Sequence, residues 1–80
     1  MDIYVGNITE RVREEELKVL FQKFGEVILV KIIRNLDSMT SKGLALVTMK
    51  NPIDANNAVK TLNRKLFNGK RIVVSNERLV

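Results

Sequence analysis

The sequence predicts a two-layer α+β sandwich with the element order βαββαβ, both helices on one face of the sheet and the other face open. Three observations carry this. Strand-like and helix-like segments alternate from end to end of the 80 residues, strand–helix–strand and then again. Both helical segments show one apolar stripe at i, i+3, i+4, i+7. A chain this short forms one domain, here 1–80, that buries only roughly 60–65% of its unfolded surface, so one compact core must serve.

The elements follow in order. Ile3 to Ile8 is a β-branched and aromatic run closed by Gly6-Asn7, which reads as a strand. Leu17, Leu20, Phe21 and Phe24 then share one helix face. Glu14, Glu15 and Glu16 lie in its first turn, where carboxylates favour the positive end of the helix dipole. Arg13 stands at the cap position and is a poor cap, and Gly25 is the expected C-cap. Val27 to Ile33 is almost wholly aliphatic and predicts a second strand. The polar stretch Asn35 to Lys42 predicts a loop, and Gly43 to Met49 a third strand. Asn51-Pro52 opens the second helix, with Asn51 as cap and Pro52 at the first helical position. Its stripe is Ala55, Ala58, Val59 and Leu62, small enough for close packing on the sheet. Asn68-Gly69 is a tight-turn signal joining Leu66-Phe67 to a last strand, Lys70 to Ser75.

Composition narrows the chemistry. There are 14 basic and 9 acidic residues, a net charge of +5, which favours a polyanionic partner. Cysteine and histidine are both absent, which excludes Cys/His zinc sites and nucleophilic arrangements built on a histidine base. Asp2, Asp37 and Asp54 stand in separate segments without a partner base, and Gly69-Lys70-Arg71 is a turn, not a phosphate loop. The reading is therefore a binding module and not an enzyme, with no catalytic residues, metal or cofactor. No apolar run approaches the roughly 18 residues of a membrane span. Met1-Asp2 leads directly into a strand, so no signal peptide is expected, and the expected location is cytoplasmic.

Two motifs sharpen this reading. Ile3-Tyr4-Val5-Gly6-Asn7-Ile8 matches, position by position, the first-strand hexapeptide of the RNA recognition motif family. Lys42-Gly43-Leu44-Ala45-Leu46-Val47-Thr48-Met49 lines up with the family's third-strand octapeptide, K/R-G-F/Y-G/A-F-V-x-F/Y. Lys42, Gly43, Ala45 and Val47 fit, while Leu44, Leu46 and Met49 stand where the family has aromatics. The chain thus resembles this family over its whole length, most of all its small single-domain bacterial members. The resemblance implies a ferredoxin-like, four-stranded antiparallel sheet and binding of single-stranded RNA, or of single-stranded DNA, on the open face.

Period-two alternation assigns the faces. Tyr4, Leu44, Leu46, Thr48, Arg71, Val73 and Ser75 point to the open face. Ile3, Val5, Ile8, Gly43, Ala45, Val47, Met49, Ile72 and Val74 point to the helices. The expected RNA-binding set is Tyr4 for stacking, Lys42 for phosphate, and Leu44 and Leu46 where the family stacks bases. Lys31, Arg34 and Arg71 flank the face, and Asn76 and Arg78 follow the last strand. Phe21 and Phe24 belong to a core stripe, and Phe67 is expected to pack against the second helix.

Each base–aromatic stack contributes roughly 1–3 kcal/mol, so replacing two rings lowers affinity by about two to four decades, in part restored by leucine contact. Weak, charge-assisted binding is the expectation. The alternative is a protein-interaction or self-association module, with a protein partner or a homodimer on an aliphatic patch of Leu29, Ile33, Leu44, Leu46 and Val73. A third reading has Leu79 and Val80 folding back over that patch. An acylphosphatase-like enzyme shares the element order, so order alone does not separate binding from catalysis.

Overall fold

The structure is a computed structural model that describes residues 1–34 and 41–77. Among the described residues six strands and two helices follow one another: β1 (Asp2–Gly6), α1 (Glu14–Gln22), β2 (Val27–Arg34), β3 (Ser41–Met49), α2 (Pro52–Leu62), β4 (Leu66–Phe67), β5 (Lys70–Arg71) and β6 (Val73–Ser75). The main sheet has the order β2-β3-β1-β6, and each neighbouring pair is antiparallel. This is the expected ferredoxin-like sandwich. The β2–β3 connection at 35–40, together with Arg78, Leu79 and Val80, lies outside the described residues.

Alternation along the strands builds the core. Ile3 and Val5 of β1, Ile32 of β2, Ala45, Val47 and Met49 of β3, and Val74 of β6 are buried on one sheet face. Leu17, Leu20 and Phe21 of α1 and Ala55, Ala58 and Leu62 of α2 are buried against them. Phe21 and Leu17 are wholly buried, each contributing roughly 1.5–3 kcal/mol. Met49 is likewise wholly buried, so that departure from the octapeptide is a core residue. Phe24, Val59 and Phe67 are half-buried and pack on the same cluster.

The helix ends differ as their residues predict. Asn51 Oδ1 accepts from Ile53 N at 2.9 Å and caps α2, with Pro52 beginning the helix. Arg13 has the extended backbone of an N-cap but no side-chain cap bond.

Two expectations need correction. The first is Gly25 as the cap of α1. The helix closes earlier, on Lys23, and Phe24 N donates to Phe21 O at 3.0 Å. Gly25 serves close packing instead, because a Cβ there would run into the Asp54 carboxyl at the start of α2. The second is the continuous last strand. Lys70 and Arg71 pair with Phe67 and Leu66 in a separate two-stranded ribbon, and only Val73–Ser75 joins the main sheet. The Asn68-Gly69 turn is the reason. Both residues have positive φ (50° and 87°), the backbone of a tight hairpin, which folds 70–71 back onto 66–67. Ile72 N donates to Lys65 O and Arg64 N to Ile72 O, at 3.0 and 2.8 Å, which carries the pairing down to the sheet.

Candidate nucleic-acid interface

Strand register lays out the open face as three rows. The middle row runs Lys31, Leu46, Tyr4, Ser75 from edge to edge. The next runs Ile33, Leu44, Gly6, Val73. The third runs Leu29, Thr48, Asp2. Residues directly opposite on antiparallel strands stand about 4.5–5.5 Å apart at Cβ, so side chains within a row are neighbours, except where Gly6 interrupts the second row.

Tyr4, Leu44 and Leu46 are half-buried, so each presents a side to solvent while resting on its neighbours. Leu29, Ile33 and Val73 are 49%, 37% and 42% exposed. Tyr4 is the aromatic ring in this grid, and Gly6 in the adjacent row is buried. A half-exposed flat aromatic on an open sheet face is a platform for another flat ring. Thr48 Oγ1 donates to Asp2 Oδ1 at 2.7 Å, a polar cross-strand pair that closes the far end of the face.

Two bulges shape the β2–β3 ladder. Register shifts between Val27 and Leu29, leaving Ile28 as the extra residue. It shifts again between Ile33 and Arg34: Ile33 opposes Leu44, and Arg34 opposes Ser41. Lys42 and Gly43 therefore sit in the bulge, with Gly43 at φ +79°. Backbone places Lys42 and Arg34 beside the Ile33–Leu44 row. Their side chains lie outside the described set.

Other expected site residues fall in different places. Lys31 is exposed at the edge of the middle row. Asn76 is exposed in the bend after β6, where Glu77 N donates to Ser75 Oγ at 2.9 Å. Arg71 is not on the main sheet. It stands on the ribbon, where its Nη1 donates to Arg64 O at 3.1 Å, while its own carbonyl accepts from Asn7 Nδ2 at 2.7 Å. Arg78 lies outside the described residues.

Ser75 completes the middle row beside Tyr4 but was not in the expected set. Its outward phase on the last strand was the available signal. Asn7, at φ 58° where β1 ends, ties the ribbon to the sheet, and the Gly-Asn pair was its signal. Among the described residues there is no group of three or more His, Cys, Asp or Glu that would hold a metal ion, and no helix long and apolar enough to cross a membrane.

The chain matches the RNA recognition motif family over residues 3–73. Among solved structures it is similar to RNA Binding Protein PG1, with 38% identity and a TM-score of 0.91, over 98% of this chain and 96% of that one. It is similar to RNA recognition domains 1 and 2 of Sex-lethal from Drosophila melanogaster, with 28% identity and a TM-score of 0.89, over 96% of this chain and 49% of that one. The Rna15 RRM with bound RNA (GU) shares the fold, with 24% identity and a TM-score of 0.82, over 92% of this chain and 79% of that one.

Proposed function

The chain belongs to the RNA recognition motif family, and from that premise we propose that it binds single-stranded RNA on the open face of its sheet, weakly and with charge assistance. The observation that carries the proposal is Tyr4, a half-buried ring at the centre of the face, between Leu46 and Ser75. The likeness to a protein described as RNA-binding, at 38% identity over nearly the whole of both chains, supports the same partner. The family is a binding module and not an enzymatic one.

The proposed mechanism divides by chemistry. Tyr4 stacks one base, and Leu46 and Leu44 give adjacent bases an apolar floor. Lys31 ends the Tyr4 row, and Lys42 follows the Leu44 row; both neutralise backbone phosphate. Arg34, Arg71, Asn76 and Arg78 contribute charge or hydrogen bonds at the margins. With a single ring among the grid residues, affinity is low and sequence preference modest. Single-stranded DNA binds the same platform through the same stacking, and a matched deoxyoligonucleotide measures the 2′-hydroxyl contribution. Cytoplasmic action belongs to the same proposal, because single-stranded RNA is abundant there.

A second reading has one observation in its favour. Leu29, Ile33 and Val73, each more than a third exposed, surround Leu44 and Leu46 and make the face aliphatic. Such a patch suits a protein partner or a second copy of this chain. Two substitutions separate the readings. Tyr4→Ala is expected to weaken RNA binding by roughly 1–3 kcal/mol, about 5- to 150-fold, without unfolding the domain. Unchanged RNA binding in Tyr4→Ala, together with loss of a dimer or partner complex in Leu46→Asp, would favour the protein reading.

A further inference from the structure

The three rows of the open face carry one carboxylate. Asp2 is exposed at the end of the Leu29–Thr48–Asp2 row, while the other positions of the grid are apolar, hydroxyl-bearing or, at Lys31, cationic. An acid on a face that takes up a polyanion repels the phosphate backbone. Whatever Asp2 contributes to binding there, it contributes to a group that donates hydrogen bonds.

Its position is held from the neighbouring strand. Asp2 stands directly opposite Thr48, and Thr48 Oγ1 donates to Asp2 Oδ1 at 2.7 Å, a short bond assisted by charge. Thr48 is half-buried and β-branched, so it is a stiff anchor for the carboxyl. Among the described residues no cation bonds Asp2. Oδ2 and the second lone pair of Oδ1 are therefore open to a ligand. Asp2 and Tyr4 are two residues apart on β1 and share the open face, so their Cα atoms stand roughly 6.6–6.8 Å apart. A base lying flat on Tyr4 turns an edge, and not a ring face, towards Asp2.

The chemistry of the edges selects among the bases. An ionised carboxylate only accepts, and its two oxygens suit two parallel donors. Guanine has two such donors side by side on its Watson–Crick edge, N1–H and the N2 amine. Adenine and cytosine offer an amine beside a bare ring nitrogen, which repels the second oxygen. Uracil has one N–H between two carbonyls. We propose that Asp2 is a base-selecting residue, which accepts from N1–H and N2–H of a guanine stacked on Tyr4, with Thr48 as its positioning residue. The proposal rests on the RNA-binding reading above and deepens it: stacking and phosphate contacts supply the affinity, and Asp2 supplies the choice of base.

The test measures the binding of wild type and Asp2→Asn to three labelled oligonucleotides of about eight residues by fluorescence anisotropy. One is all uridine, the second has one central guanosine, and the third has inosine in its place, which stacks alike and keeps N1–H but lacks the N2 amine. Asp2 is exposed and asparagine is close to it in shape, and a retained amide NMR spectrum reports the variant's fold. The wild type is expected to bind the guanosine strand about three- to tenfold more tightly than the inosine strand, the value of one hydrogen bond to a charged group at an exposed site. Asp2→Asn should bind these two strands within about twofold of each other. It should bind the uridine strand no more weakly than wild type does, because a negative charge has left the face. A wild type that treats guanosine and inosine alike overturns the proposal. So does a preference that survives in Asp2→Asn, including the case in which the variant changes all three affinities equally. If the wild type binds none of the three strands, the RNA-binding reading fails and base selection falls with it, a result distinct from equal binding of all three.

Discussion

Tyr4 stands between Leu46 and Ser75, and the two leucines beside it mark where the binding face has changed. In the octapeptide pattern the positions of Leu44, Leu46 and Met49 are aromatic. The structure divides these three: Met49 is wholly buried, while Leu44 and Leu46 are half-exposed on the open face. Only the leucines therefore bear on ligand contact. Leu46→Phe would place a second ring directly opposite Tyr4. Stacking adds roughly 1–3 kcal/mol, less the contact leucine already makes, so RNA affinity should rise about tenfold. Fluorescence anisotropy with a labelled oligouridine measures this, and an unchanged affinity would mean that the Leu46 position does not meet a base. These positions were legible in the sequence because period two assigns a face without knowledge of the fold. The place of Arg71 was not, because the Asn68-Gly69 turn, outside the strand, pairs it with Leu66 in the ribbon and not with β1.

At the scale of elements, the two helices show how local residue choice becomes stability. Asn51 and Pro52 give α2 a capped start, whereas α1 begins at Arg13 with an extended backbone and no side-chain acceptor. Arg13→Ser would supply that acceptor where the backbone already suits it. The expected gain is about 0.5–1 kcal/mol, read as a rise in the midpoint of urea unfolding at unchanged slope. A lower midpoint would show that the Arg13 side chain stabilises α1 in some other way. Helix stripes, strand alternation and the α2 cap could all be read from the chain, since each depends on neighbours within a few residues. The role of Gly25 could not. Its packing partner is Asp54, a contact between the end of one helix and the start of the other that local pattern does not contain.

Across the whole molecule, charge and apolar surface are arranged differently. The open face is mostly aliphatic, with Lys31 at the edge of its middle row, and four of the five cations in the acid-free stretch between Asp54 and Glu77 lie at 64–71. Binding that neutralises three or four phosphates gives a slope of about −2 to −3 in log K against log salt for a single strand. Affinity for a long oligonucleotide should therefore fall roughly tenfold or more between 50 and 200 mM salt. A salt-insensitive affinity would instead point to the aliphatic face acting on its own. The overall architecture was legible because the motifs and stripes agree over the full chain. The charge asymmetry was equally present in the sequence, but its placement needed the hairpin, which brings residues 64–71 together beside the sheet.

The central claim is that RNA lies on the open face across Tyr4. An NMR titration with a mixed pool of single-stranded RNA tests it most directly. The account predicts amide shifts clustered on Tyr4, Leu44, Leu46 and Ser75, with buried α-helical residues such as Leu17 and Ala58 unmoved. Shifts confined to the helices, or none at millimolar RNA, would contradict it.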